Sequence, residues 1–255
     1  MSAPQQFRVF GMRRSGNHAV IDWLRRNIPG ETVFLNDCAA GDPFRTYALM
    51  ETPRGDRHGP GFRDTRWFAQ FDEGRQARSH IVSYEDTVPE EVGAPGGWDA
   101  PFRTLVVRRS FPNWLASFYE LVARRKAGTA WGVGDWREIR PYFATYAALL
   151  AAPRDELIEF DRWLGDAAYR AALLERLDLT MVDNCTGLPS AYGGGSSFPE
   201  AGAGAADLTA RWRRLSGEPG FEALLADAAA DAALMSALRR TCPEEAERLA
   251  GRVAA

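Results

Sequence analysis

Two hydrophobic rhythms alternate along this chain. Short apolar runs at Phe7–Phe10, Glu31–Leu35, His80–Tyr84, Phe102–Val107, Glu156–Phe160 and Leu179–Val182 are rich in β-branched and aromatic side chains and predict strands. Between them apolar residues recur at helical spacing. Val20, Trp23, Leu24 and Ile28 form one face of a helix that starts after Gly16 and stops at Pro29-Gly30. Leu115, Phe118 and Val122 form the face of another, capped by Ser110 with Pro112 tolerated in its first turn. Trp136–Leu150, Asp161–Leu177, Asp207–Leu215 and Phe221–Arg252 read as further helices. The alternation predicts an α/β fold with a mainly parallel central sheet, helices on both faces, and ligands at the carboxyl ends of its strands.

Polar, glycine- and proline-rich stretches punctuate this pattern. Asn36–Gly61 carries Pro43, Pro53, Gly55, Gly59, Pro60 and Gly61 and reads as a long excursion with one short helix. Val88–Pro101, Gly128–Asp135 and Asp183–Ala206 read as loops. No internal repeat and no domain boundary stands out, so residues 1–255 read as a single domain with a long insertion around 36–80.

Composition narrows the class. Hydrophobic residues make up 45% and charged residues 25% of the chain, as in an ordinary globular protein. A net charge of −3 provides no global basic field for nucleic acid or an anionic membrane. No apolar run is long enough to span a membrane, and Met1–Gln6 has no apolar signal core. Cys38, Cys185 and Cys242 match neither a disulfide framework nor a zinc spacing, which points to reduced thiols in a cytoplasmic protein. Lys126 is the only lysine, so roles that commonly fall to lysine fall here to arginine.

The first strand runs into Gly11-Met12-Arg13-Arg14-Ser15-Gly16-Asn17-His18. A glycine-bounded turn between strand and helix aims backbone N–H groups and a helix N-terminus at one spot, where anions bind. Gly11 and Gly16 have the spacing of a Walker A loop, but Asn17 and His18 stand where that loop has Lys and Ser/Thr. The side chains that reach the β/γ-phosphates and hold Mg²⁺ are missing. Sulfuryl transfer from a phosphosulfate needs only fixed cations and N–H groups at the bridging oxygen and leaving phosphate, without a metal. Arg14 has a planar fork suited to two oxygens at once.

At Arg13-Arg14-Ser15-Gly16-Asn17-His18 the chain resembles the 5′-phosphosulfate loop of sulfotransferases that use PAPS (3′-phosphoadenosine 5′-phosphosulfate). That loop usually reads Pro-Lys-Ser-Gly-Thr-Thr. Arg14 falls on the lysine, Ser15 and Gly16 match, and Asn17 and His18 replace the threonines. A second segment, Leu105 to Tyr119, resembles the family's 3′-phosphate element: an apolar strand, an arginine, and a serine eight residues later on the following helix. Arg109 and Ser117 have that spacing. The resemblance covers these two segments and implies a P-loop-like sulfotransferase architecture and no metal.

It also implies a general base just after the strand that precedes the 3′-phosphate strand. Glu85 is the first choice there and Asp86 the second; His18 in the loop is an alternative. His80 begins its strand at the wrong end, and His58 in the long excursion reads as a plain loop residue, with an acceptor contact as the alternative. Sulfotransferases also close the nucleotide site with a glycine-containing loop near the C-terminus. Tyr192, Gly193, Gly194, Gly195, Ser196 and Ser197, followed by Phe198, match it in position and type, with rings to flank an adenine; a plain surface linker has the same composition. Arg211, Arg213 and Arg214 offer further phosphate contacts or a solvated helix face. The implied function is transfer of a sulfuryl group to a hydroxyl or amine of a small-molecule or glycan acceptor, with PAPS as donor. The alternatives are a nucleotide or small-molecule kinase with a degenerate phosphate loop, and a non-catalytic nucleotide-binding domain.

Overall fold

The computed structural model describes residues 3–124, 134–186 and 209–253. It is an α/β fold around a seven-stranded sheet: β1 (Gln6–Gly11), β2 (Thr32–Asn36), β3 (Leu49–Glu51), β4 (Arg57–His58), β5 (Ser79–Glu85), β6 (Arg103–Arg108) and β7 (Glu156–Glu159). The strand order is β4-β3-β2-β5-β1-β6-β7. β2, β5, β1, β6 and β7 are parallel, and β3 and β4 extend the β2 edge antiparallel.

Side chains alternate across the strands and build a core on each face. Phe7, Val9, Phe34, Ile81, Leu105 and Val107 pack on one side with α1 (Asn17–Asn27), Trp163 and Leu173. Phe10, Val33, Leu35, Val82 and Val106 pack on the other with α5 (Phe111–Arg124), α6 (Tyr142–Ala151) and the C-terminal helices Pro219–Ala230, Ala232–Thr241 and Pro243–Val253. The short α2 (Pro43–Thr46), α3 (Arg66–Glu73) and α4 (Pro89–Val92) lie in the connections before β6. α7 (Phe160–Gly165) and α8 (Ala167–Arg176) follow β7.

Several expected elements break at identifiable residues. The helix expected over Asp161–Leu177 divides where Asp166 accepts the Tyr169 N–H at 2.9 Å and caps α8. The C-terminal helical stretch divides at Asp231, which caps the next helix, and at Cys242-Pro243. The helix expected from Trp136 is a 3₁₀ turn up to Ile139, and α6 begins only after Pro141. The excursion after β2 holds the expected short helix, α2, but also the β3–β4 hairpin. Strands of three and two residues are too short to show a period.

Leu179–Val182 is not a strand. Only Leu179 is buried; Met181 is 54% and Val182 75% exposed. Asn27 Oδ1 accepts the N–H groups of Val182 (2.8 Å) and Asp183 (2.9 Å). A side chain on α1 thus satisfies backbone that a sheet ladder would otherwise hold. No helix among the described residues is long and apolar enough to cross a membrane.

Candidate anion-binding site

From the neighbouring strands β1 and β5 the chain leaves in opposite directions, from β1 towards β2 and from β5 across β1 to β6. Such a switch point, at the carboxyl ends of the strands, is the usual ligand position in such sheets. The loop Gly11–Gly16 occupies it. Ser15 N–H donates to Met12 O at 3.0 Å, which closes a tight turn, and Arg14 sits in its third position with φ 71°. That left-handed geometry normally takes glycine; for another L-residue it costs about 1–2 kcal/mol. Asp37 (φ 49°) and Asp86 (φ 55°), just beyond β2 and β5, share it. Of the four described non-glycine residues with positive φ, three therefore lie just beyond the carboxyl ends of β1, β2 and β5; the fourth, Asp178, follows the end of α8. Such concentration of strained backbone is characteristic of functional sites.

Both loop glycines are required. Gly16 has φ 92°, and a Cβ there would overlap the Phe160 ring. A Cβ on Gly11 would overlap Asn17 Oδ1 and stand 3.0 Å from Val107 O. The loop is also pinned from behind. Trp114 Nε1 donates to Arg13 O at 3.0 Å, and Arg109 Nη1 donates to Arg14 O at 3.2 Å. Arg13 bonds Asp86 twice, through its backbone N–H (2.8 Å to Oδ1) and its Nε, and its guanidinium lies against the rings of Phe118 and Tyr142.

The two segments singled out in the sequence meet here. Arg14 Nε donates to Ser117 Oγ at 3.4 Å, and Arg109 reaches the carbonyl of Arg14. Arg109 and Ser117 are both buried. Burial pushes the Arg109 pKa down to about 10; Asp161 opposes this, while Arg211 and Arg14 add to it. Arg109 stays protonated at neutral pH, at the centre of three arginines. Ser15 Oγ is buried without a hydrogen-bond partner among the described residues. A buried orphan hydroxyl next to converging cations suits an oxyanion. Arg211 is the member that sequence reading left open. It is buried, unlike the exposed Arg213 and Arg214. Asn113 docks its segment, accepting the Trp212 N–H at 3.4 Å.

An acidic counterpart lies across the loop. Glu85 ends β5 in register with Gly11. Burial, Asp37 and Asp86 push its carboxyl up to about 7, while Arg13 holds it back. Asp86 is raised as well, chiefly by burial, but its bonds to Arg13 restrain it. Asp37 has no motif to mark it and joins this group only because β2 is adjacent to β5. His18 Nε2 is 2.9 Å from Asn36 Oδ1, which also accepts the Ser83 hydroxyl at 3.0 Å. Burial lowers the His18 pKa, so the ring is neutral at pH 7.

The remaining candidates lie elsewhere. His80 is buried at the amino end of β5, 3.1 Å from Gln6 Oε1, and burial takes its pKa down to about 3. His58 stacks on Phe62 in the hairpin at the sheet edge. Ser110 precedes α5 as expected, and its carbonyl accepts the Trp114 N–H at 2.8 Å. The Glu245 carboxylate takes the Phe111 N–H, and the Ser110 hydroxyl accepts from the Asn113 side chain at 2.9 Å. Tyr192, Gly193, Gly194, Gly195, Ser196 and Ser197 lie outside the described residues. Among the described residues no group of three or more His, Cys, Asp or Glu is placed to hold a metal ion.

No family model, no curated protein and no solved structure matches the chain. The fold and the site define it as an α/β protein with an arginine-rich, glycine-bounded loop at the switch point of its sheet.

Proposed function

We propose that this protein is a sulfotransferase of P-loop-like architecture that moves a sulfuryl group from PAPS to a hydroxyl or amine acceptor. The observation that carries the reading is the meeting of Arg14, Arg109 and Ser117, which come from segments about ninety residues apart in the chain. The donor would carry anionic groups at both ends, a 5′-phosphosulfate and a 3′-phosphate. Arg14, Ser15 and the start of α1 would take the first, and Arg109 with Ser117 the second. Asn17 and His18, in place of the P-loop Lys and Ser/Thr, weigh against magnesium-dependent kinase chemistry.

On this reading each residue has a part in the reaction. The acceptor oxygen or nitrogen forms its bond to sulfur as the bond from sulfur to the bridging oxygen breaks. Arg14 stabilises the negative charge that grows on that oxygen. Glu85 takes the acceptor's proton, and adenosine 3′,5′-bisphosphate leaves. A carboxyl with a pKa of about 7 suits a general base at neutral pH. His18 is the less suited base, because its Nε2 faces Asn36.

Thermal unfolding with chelator present tests the reading. Adenosine 3′,5′-bisphosphate is expected to raise the melting temperature, since a ligand bound to the native state stabilises it. ATP with magnesium, in a parallel sample without chelator, is expected to do less. The opposite order overturns the sulfotransferase in favour of a kinase, and no shift with either favours a protein without a nucleotide site.

A further inference from the structure

One aromatic ring touches both halves of the anion site. β7 pairs with β6 in parallel, and Glu159 is the register partner of Arg108. The next residues, Phe160 and Arg109, therefore leave the sheet side by side. The Arg109 guanidinium lies over the Phe160 ring, its Cζ 5.6 Å from the ring centroid. The same ring fills the space in front of Gly16, where a side chain at that position would begin. Its own place is fixed from the core. Phe160 stacks on Trp163 with centroids 5.6 Å apart, and Trp163 meets Trp23 of α1 edge-on at 5.8 Å. Both indoles are fully buried, and Phe160 nearly so.

We propose that Phe160 is a positioning residue that holds Arg109 and the Gly16 turn against one ring, and so sets the spacing between the two anion-binding halves. The nucleotide meaning of this spacing rests on the transfer reading; the contact itself does not. The negative face of an aromatic ring attracts a cation, and more strongly where water is excluded. Such a face restrains a guanidinium without cancelling its charge. A carboxylate does both, as Glu245 and Glu159 do for Arg108 one residue earlier. Asp161, next to Phe160 in the chain, directs its oxygens to the Ser110 N–H at 2.7 Å and to Asn113 Nδ2 at 3.3 Å. The backbone completes the socket. The Tyr146 hydroxyl donates to Arg109 O at 2.6 Å, while Arg109 Nη1 donates to Arg14 O at 3.2 Å. Gly16 serves the same device, since the ring has room only because residue 16 carries no side chain.

The test has a ligand-free arm and a ligand arm. Proton NMR of the intact protein with labelled arginine, assigned by Arg109→Lys, should show the Arg109 side-chain protons moved upfield by the Phe160 ring. The shift should vanish in Phe160→Leu. If that variant does not fold, cross-relaxation between these protons and the Phe160 ring in the parent reads the same contact. Unshifted protons without cross-relaxation overturn the proposal. In the second arm, phenylalanine fluorinated around its ring is incorporated at position 160, which nearly keeps the shape but drains the negative face. It should weaken adenosine 3′,5′-bisphosphate by about 5-fold, the scale of one cation–π contact, and adenosine 5′-monophosphate much less. An unchanged ratio of the two affinities overturns the positioning role. If the parent binds neither nucleotide, the transfer reading falls, while the shifted protons still uphold the contact.

Discussion

Arg108 and Arg109 are adjacent at the end of one strand, and their surroundings are opposite. Arg108, 8% exposed, pairs with Glu245 and, at 3.3 Å, with Glu159. Burial opposes its charge, but Tyr146, Cys242 and Glu159 around it leave its pKa raised. Arg109, 5% exposed, donates to a backbone carbonyl, and burial with Arg211 and Arg14 nearby lowers its pKa to about 10. The same contrast recurs at the end of β5. Asp86 is bonded to Arg13, whereas Glu85 faces Asp37 and Asp86 and rises to about 7. At each strand end one charged residue is balanced by the chain and belongs to the scaffold. Its neighbour is held where burial works against its charge, which is the state expected of groups that meet a ligand or a proton.

The balanced member is expected to govern stability. Glu245 binds Arg108 and takes the first N–H of α5, so it ties the last helix to both parts of the site's frame. Glu245→Ala leaves buried Arg108 only its pair with the more exposed Glu159 and should cost about 3 kcal/mol, read as a large fall in the melting temperature. A fall no greater than that of an exposed glutamate variant would break the distinction between Arg108 and Arg109.

Glu85 should show the converse. Its folded pKa lies above its ordinary value of 4.5, so the native state holds the proton more tightly than the unfolded chain. The stability this confers is complete below about pH 4.5 and is lost as pH rises towards about 7, by up to ~3 kcal/mol. Glu85→Gln should remove that slope in denaturant titrations at a series of pH values. With an acceptor in hand, it should also lower turnover by about 10²–10⁴-fold with little change in donor binding. Retained turnover would move the base to another residue.

The smallest expected effects separate the arginines by affinity. Arg109→Ala should weaken adenosine 3′,5′-bisphosphate by about 100-fold, the scale of one or two charged hydrogen bonds, and adenosine 5′-monophosphate much less. Calorimetric titration of both nucleotides reads the difference, and equal losses would remove the 3′-phosphate from Arg109. Arg211→Ala, which withdraws a neighbouring charge, should weaken the bisphosphate by about 10-fold or less.

Local features of this molecule were legible in the sequence, and long-range ones were not. The parallel strands announce themselves because both of their faces are buried and they read as apolar runs. The loop between Gly11 and Gly16 is legible from its glycines, and Arg109 and Ser117 stand out through the resemblance of their segment to the 3′-phosphate element of sulfotransferases. Nothing local marks Asp37, which reaches Glu85 through strand order, or Arg211, whose segment Asn113 docks. Glu245 reads as an ordinary first-turn acid of the last helix, and only packing makes it the cap of α5. Leu179–Val182 misleads for the reverse reason. Its apolar residues fit a strand, but Asn27 claims its backbone.

The two bonds that hold the loop's carbonyls, from Trp114 to Arg13 and from Arg109 to Arg14, also bear on time rather than affinity. A loop fixed during folding has no ordering step left when an anion arrives, so encounter and capture become one event. Nucleotide association should then follow a single exponential whose rate grows linearly with concentration and falls with added salt. The donor end of the site would act as a rigid socket, and any slow rearrangement in a catalytic cycle would have to arise elsewhere in the molecule.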